Sequence, residues 1–207
     1  MKPSWEYKDY PQCQRVLLEK TNSLYRSLWR NELDIKQVLV DTRSIHQHLF
    51  SELTPLNLEF VAGHYRGEDY EELKNWHVGI KGNRLVGCPP ELVIQVMGMF
   101  RQRINNGLSL LDEICQTKNY SERLKATNLF ACETFVKMTQ IHPYVNGNGH
   151  IARFMLIAVF KQYGFTVKNF PIDPRPKDSR YIEFLRLYEQ GDKKPFLLWI
   201  AQHIEIP

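Results

Sequence analysis

Apolar residues recur at helical spacing through residues 13–50, at Val16, Leu17, Leu24, Leu28, Leu33, Ile35, Val38, Leu39, Ile45 and Leu49. This period predicts one or two helices with a break near Asn31. Thr54-Pro55 reads as a helix start, since Pro is tolerated in a first turn, and predicts a short helix through Leu58 and Val61 ending near Gly63. The pattern then changes. Residues 64–88 are rich in glycine, and Trp76, Val78 and Ile80 alternate with polar or small residues before Lys81-Gly82-Asn83-Arg84. Alternation around such a turn predicts a β-hairpin. Pro89-Pro90-Glu91 opens a helix carrying Leu92, Val93, Val96, Met97 and Phe100.

Residues 121–140 predict the next helix, with Ser121 as its N-cap and Leu124, Leu129, Ala131, Phe135, Val136 and Met138 as its apolar side. It runs into His142-Pro143, and Pro143 cannot continue a helix smoothly because it lacks an N–H. Residues 150–163 are apolar on most sides, which predicts a central, buried helix with Gly164 at its C-terminal end. A proline-rich connector over 170–176 leads to two closing helices, expected over 179–188 and 195–204. The predicted class is all-α, a helical bundle with one small β-hairpin. Residues 1–54 form an N-terminal helical region and residues 55–207 the core.

Composition adds a few exclusions. The chain has 207 residues, 43% hydrophobic and 24% charged, ordinary for a globular protein. There is no apolar run of membrane-spanning length and no apolar stretch of a secretory signal at the N-terminus, so the expected setting is the cytoplasm, with no membrane partner. The four cysteines, Cys13, Cys88, Cys115 and Cys132, form no CxxC pair and match no zinc spacing; they read as reduced packing residues. A net charge of +4 suits a phosphate-bearing ligand without demanding one. The basic residues are scattered, which gives no support to nucleic acid as the main partner. His46 and His48, two apart, do not share a helical face and read as surface residues. Trp5, Trp29 and Trp199 read as packing residues.

The chemistry concentrates in residues 142–153, His-Pro-Tyr-Val-Asn-Gly-Asn-Gly-His-Ile-Ala-Arg. One helix ends at His-Pro, a Gly-Asn-Gly turn follows, and the greasy helix starts at once. Glycines permit positive φ, so successive backbone N–H groups can converge on one point. The start of the next helix adds unpaired N–H groups and the positive end of its dipole. The product is an anion cradle. Arg153, three residues from His150 and on the same face, is placed to grip a phosphate oxygen. His142, at the rim, has an ordinary pKa of about 6.5 and suits general-base work.

This segment resembles the signature of the Fic family, H-P-F-x-[D/E]-G-N-G-R-x-x-R. His142, Pro143, Gly147, Asn148, Gly149 and Arg153 match it, and Tyr144 replaces Phe conservatively. The resemblance extends to Ala62-Gly63-His64-Tyr65-Arg66, to a flap hairpin over 76–86, to Pro89-Pro90 and to a closing segment over 181–195 with Gly191-Asp192. It implies transfer of AMP from ATP to a Ser, Thr or Tyr hydroxyl of a protein. His142 would accept the hydroxyl's proton. Gly147, Asn148 and Gly149 would hold the phosphates, with His150 and Arg153 beside them. Trp76, His77, Val78, Gly79 and Ile80 would form the target-binding flap, with His64 and His77 flanking it. Partners implied besides the target are a separate antitoxin or regulator and a second copy of the chain.

Two positions depart from the pattern. Asn146 stands where the family places an acidic residue holding Mg²⁺, and an amide oxygen contributes no charge, so Mg²⁺, or Mn²⁺ in its place, should be held weakly. His150 stands where the family places its first arginine, and it cannot form a bidentate fork. These changes imply a slow enzyme, a different phosphate-containing donor, or a nucleotide-binding relative without transferase activity. Ser109/Glu113 and Ser179/Glu183 carry half of the family's inhibitory [S/T]-x-x-x-E-[G/N] pattern but are followed by Ile114 and Phe184, so no such inhibitory helix is expected.

Overall fold

The computed structural model describes residues 5–79 and 87–205. Its helices are α1 (Cys13–Trp29), α2 (Ile35–Val40), α3 (Arg43–Phe50), the one-turn α4 (Glu71–Lys74), α5 (Pro90–Thr117), α6 (Tyr120–Ile141), α7 (Asn148–Gln162), α8 (Arg180–Glu189) and α9 (Lys194–Ala201). The architecture is an all-α helical bundle, as the periodicity predicts. Every residue from Ile151 to Phe160 is buried, so α7 is the axis of the molecule. A helix apolar on all sides has no stable place except the interior. α6 packs along α7, and α5 lies outside α6. α1 and α2 pack on α7 from another side, with α3 against α1, and α8 and α9 close the bundle against α6. One antiparallel strand pair, β1 (Thr166–Val167) with β2 (Ile204–Glu205), ties the chain after α7 to its C-terminal end, with Thr166 opposite Glu205 and Val167 opposite Ile204.

Several local expectations change. The N-cap of α6 is Asn119 rather than Ser121: its side chain accepts from Glu122 N–H, and the Glu122 carboxylate accepts from Asn119 N–H, a reciprocal capping box. α5 continues past Phe100 because Ile104, Leu108 and Leu111 extend its buried stripe. The helix expected over residues 55–63 is only a 3-10 turn, Glu59–Val61. A helix that short is marginal without tertiary packing, and the turn already buries Leu58, Val61 and Ala62 while Leu56 stays 93% exposed. The last helix stops at Ala201, and Ile204 is in β2 instead. The hairpin expected over 76–86 lies largely outside the described residues; Trp76–Gly79 are irregular.

Two side-chain expectations also fail. His46 is fully buried rather than on the surface, because it shares the inner face of α3 with Leu49 and Phe50 and finds partners for both ring nitrogens. His48 is half-buried, its Nε2 3.2 Å from Lys20 O. Trp29 is 39% exposed and lies under Lys161 Nζ, 5.1 Å from the ring centre, whereas Trp5 and Trp199 are core residues. All four cysteines are free thiols. Among the described residues no helix is long and apolar enough to cross a membrane.

Candidate active site

The site is the turn between α6 and α7. α6 ends when His142 adopts left-handed backbone angles, φ 53° and ψ 54°. Its Nδ1 lies 3.1 Å from Thr139 O. A carbonyl only accepts, so Nδ1 carries the proton and Nε2 is the bare, basic nitrogen. Burial pushes the imidazole's pKa below its ordinary value, and the nearby Arg66 guanidinium adds to this despite the opposing Thr139 bond. His142 is therefore neutral at pH 7 and ready to accept a proton.

Buried contacts fix the turn. Tyr144 is wholly buried, its hydroxyl 2.8 Å from Thr42 Oγ1 and its ring stacked on His46 at 3.8 Å. His46 Nδ1 accepts from Gly63 N–H at 3.0 Å, so Nε2 carries the proton and donates to Asn146 O, also at 3.0 Å. Burial lowers the His46 pKa to about 3, so this linkage is neutral. Asn148 closes the turn: Tyr144 N–H donates to its Oδ1 and its Nδ2 donates to Tyr144 O, both at 2.9 Å. Its side chain is thus a lock on the loop, and only its backbone N–H is left for a phosphate.

Gly147, at φ 77°, starts α7. The N–H groups of His150 and Ile151 turn back onto Gly147 O, while those of Asn148 and Gly149 have no acceptor among the described residues. Unpaired first-turn donors of this kind bind anions. The Arg153 guanidinium lies under them, since a Cβ built on Gly149 would come 3.1 Å from Arg153 Nη1. Arg153 is buried, with its Nε donating to Ile172 O at 2.7 Å.

His150 does not face the cradle alone. Its Nε2 lies 2.8 Å from Asp173 Oδ1, and the rings of Tyr7 and Phe50 meet it edge-on at 5.5 and 5.4 Å. Burial lowers the His150 pKa more than Asp173 raises it, while the hydrogen bond to His150 lowers that of Asp173. The pair is a neutral imidazole donating to an ionised carboxylate. Asn146 is also engaged. Its Oδ1 accepts from Gly147 N–H at 2.8 Å, and its Nδ2 donates to Glu6 Oε1 at 2.6 Å, with Trp5 O at 3.4 Å. Among the described residues no group of three or more His, Cys, Asp or Glu is placed to hold a metal ion. A neutral amide oxygen already bound to an N–H does not fit a protein-held Mg²⁺ site.

Thus the structure gathers His142, Asn146, Gly147, Asn148, Gly149, His150 and Arg153 in one turn. Of the expected flap residues, Trp76 and Val78 are half-buried, His77 and Gly79 are exposed, and Ile80 is outside the described residues. His64 is paired with Glu68, Nδ1 to Oε2 at 2.5 Å, and its Nε2 is 3.4 Å from Tyr70 O–H. Sequence reasoning missed Glu6, Tyr7, His46 and Asp173, and it named Arg66 without giving it a part. Each meets the turn only in three dimensions. The one local signal was the pair of aromatics, Trp5 and Tyr7, flanking Glu6, and both are buried beside the turn.

Comparison with known proteins agrees with this geometry. The Fic/DOC family model matches residues 37–160. The chain is similar to "Protein adenylyltransferase Fic" of Drosophila willistoni, 33% identical over 86 residues, which is 42% of this chain and 16% of that protein. The protein of the same name from Drosophila melanogaster is also 33% identical over 86 residues, covering 17% of its length. That from Drosophila erecta is 32% identical over 76 residues, or 37% of this chain and 15% of the relative. The match therefore spans about a sixth of the length of these relatives. With the family model covering more than half of its residues around a cradle of this form, the chain belongs to the Fic/DOC family.

Proposed function

We propose that this chain transfers AMP from ATP to a Ser, Thr or Tyr hydroxyl of a protein. The observation that carries the reading is the bare Nε2 of a neutral, half-buried His142 in the same turn as the unpaired N–H groups that open α7. The acceptor hydroxyl gives its proton to His142 Nε2. Its oxygen forms a bond to the α-phosphorus while the bond to the bridging β-phosphate oxygen breaks, and pyrophosphate leaves with that electron pair. The Asn148 and Gly149 N–H groups and the Arg153 guanidinium face the charge that accumulates on the phosphate oxygens. Positioning and electrostatics carry such a reaction. The acceptor protein lies along the segment that begins Trp76-His77-Val78-Gly79. Residues 55–207 form the transferase core in this reading, and residues 1–54 cover it. Any Mg²⁺ or Mn²⁺ arrives on the nucleotide. Four free thiols suit a reducing compartment such as the cytoplasm.

The His150–Asp173 pair favours a second reading of the donor. A carboxylate beside the cradle offsets the Arg153 charge, so a donor with less charge than a triphosphate, delivering another phosphate-containing group, would be tolerated better. The test uses ATP labelled at the α- or the γ-phosphate, a dialysed cell lysate as acceptor, and His142→Ala as control. Label reaching protein only from the α-position, and only with His142, is the expected result. Label from neither position moves the search to other phosphate-containing donors. Transfer that survives His142→Ala rules out the assigned base.

A further inference from the structure

Arg66 is 1% exposed, yet among the described residues it has no carboxylate partner. Among the described residues its guanidinium binds only carbonyl oxygens. Nε and Nη2 donate to His142 O at 2.9 and 2.6 Å, Nη1 to Trp76 O at 3.1 Å, and Nη2 to Cys88 O at 2.9 Å, with Ile141 O farther off at 3.4 Å. Its own backbone N–H donates to Pro143 O at 2.7 Å. Cys88 N–H completes the knot by donating to Ile141 O at 2.9 Å.

A buried cation without an anion is costly, and an apolar side chain of similar volume would fill the space more cheaply. What the guanidinium provides is geometry. Its rigid planar fork reaches carbonyls of three separate stretches at once, which neither a lysine's single nitrogen nor an apolar group can do. Those stretches are the backbone of His142, the entry at Trp76 and the exit at Cys88 of the segment between them. The neighbouring Gly87 shows how close the exit lies: at φ 81°, a Cβ there would fall 2.4 Å from His142 Cβ and 3.3 Å from Arg66 Nη2.

We propose that Arg66 is a positioning residue that sets His142 against Trp76 and Cys88, so that a protein hydroxyl held along Trp76–Gly79, and not water, meets Nε2. This rests on the transferase reading above. Burial lowers the Arg66 pKa to about 10, so the fork stays charged at neutral pH.

The experiment compares the full chain with Arg66→Lys and Gly87→Ala, using α-labelled ATP and a dialysed lysate. Label in protein is measured against free AMP released, each corrected by His142→Ala. A shift of about 1 Å at the reacting centre costs on the order of 100-fold. Protein labelling should fall by about that factor in both variants. ATP binding should change little, and AMP release per label transferred should rise. A residue that merely supports the fold would lower binding, labelling and hydrolysis together. A folded Arg66→Lys with the wild-type ratio of transfer to hydrolysis overturns the assignment, as does loss of binding in step with labelling. If Arg66→Lys does not fold, Arg66→Gln decides by the same ratio. Absence of His142-dependent labelling by the wild type refutes the transferase reading instead. In that case NMR of the His142 ring and backbone in Arg66→Gln still tests the contact: their resonances should shift because the His142 carbonyl loses its fork, and unmoved resonances overturn the role of Arg66.

Discussion

Replacing Gly147 with alanine puts a methyl group where the structure has none to spare. A Cβ there would lie 2.3 Å from Phe50 Cε2 and 2.6 Å from Cζ, and the backbone sits at φ 77°. Two costs combine. A side chain in the left-handed region costs roughly 1–2 kcal/mol. Forcing a methyl into a packed ring costs roughly 1–3 kcal/mol more. The stiffer unfolded chain returns roughly 0.4–1 kcal/mol. The net loss is about 1–5 kcal/mol, which moves a urea midpoint down by on the order of 1 M at ordinary denaturant sensitivities. The two parts separate in a double-mutant cycle with Phe50→Leu, since leucine lacks the ring atoms that the methyl strikes. Urea unfolding of the two single variants and the double variant should give a favourable coupling of about 1–2 kcal/mol, with the φ penalty left over. Additivity within about 0.5 kcal/mol would refute the packing argument. A Gly147→Ala midpoint equal to the wild type's would refute both parts.

The same turn gives further predictions. Asn148→Ala strands the buried N–H and C=O of Tyr144; at roughly 1–3 kcal/mol each, the loss is on the order of 2–5 kcal/mol, read as a fall of roughly 5–15 °C in calorimetric Tm. His46 is neutral when folded down to a pKa of about 3 but titrates at its ordinary 6.5 when unfolded. Between those values the unfolded state binds the extra proton, so stability is full above pH 6.5 and declines as pH falls towards 3 by about 1.4 kcal/mol per pH unit. His142, His150 and His203 act with the same sign. His46→Gln should flatten the decline by about one proton's slope, and an unchanged slope in urea titrations from pH 7 to 4 would disprove the buried-neutral assignment. For the proposed transfer, the acid limb of the kcat/KM profile should have its midpoint below about 6.5, because the base must be unprotonated and its pKa is lowered; a midpoint above 7 would point to a different base.

What could be read from sequence was what local chemistry dictates. The Pro after His142, the glycines at 147 and 149 and the apolar run behind them place a helix end, a turn and a buried helix start without reference to the rest of the chain. The other members of the site meet it across long separations: Glu6 and Asn146 are 140 residues apart, His46 and Asn146 are 100, and Arg66 and His142 are 76. No periodicity carries such pairings. His46 departs from its surface expectation for a physical reason. A histidine on an apolar helical face is buried only when both nitrogens find partners, and here these come from Gly63 and Asn146, neither of which α3 announces. The extra turns of α5 were legible in Ile104, Leu108 and Leu111, whereas the residues after Thr54 had no stripe long enough to sustain a helix.

The burial of α7 on every side also bears on time. In most sites the loops that hold ligand open locally, at far less free energy than the molecule as a whole. Here the donors of the cradle belong to the helix whose residues 151–160 form the centre of the core. Amide protons along that stretch should exchange with solvent only when the entire protein opens, giving the slowest class in a native-state hydrogen-exchange experiment. The helix that carries the Asn148 and Gly149 N–H groups should therefore stay formed through local openings elsewhere in the chain.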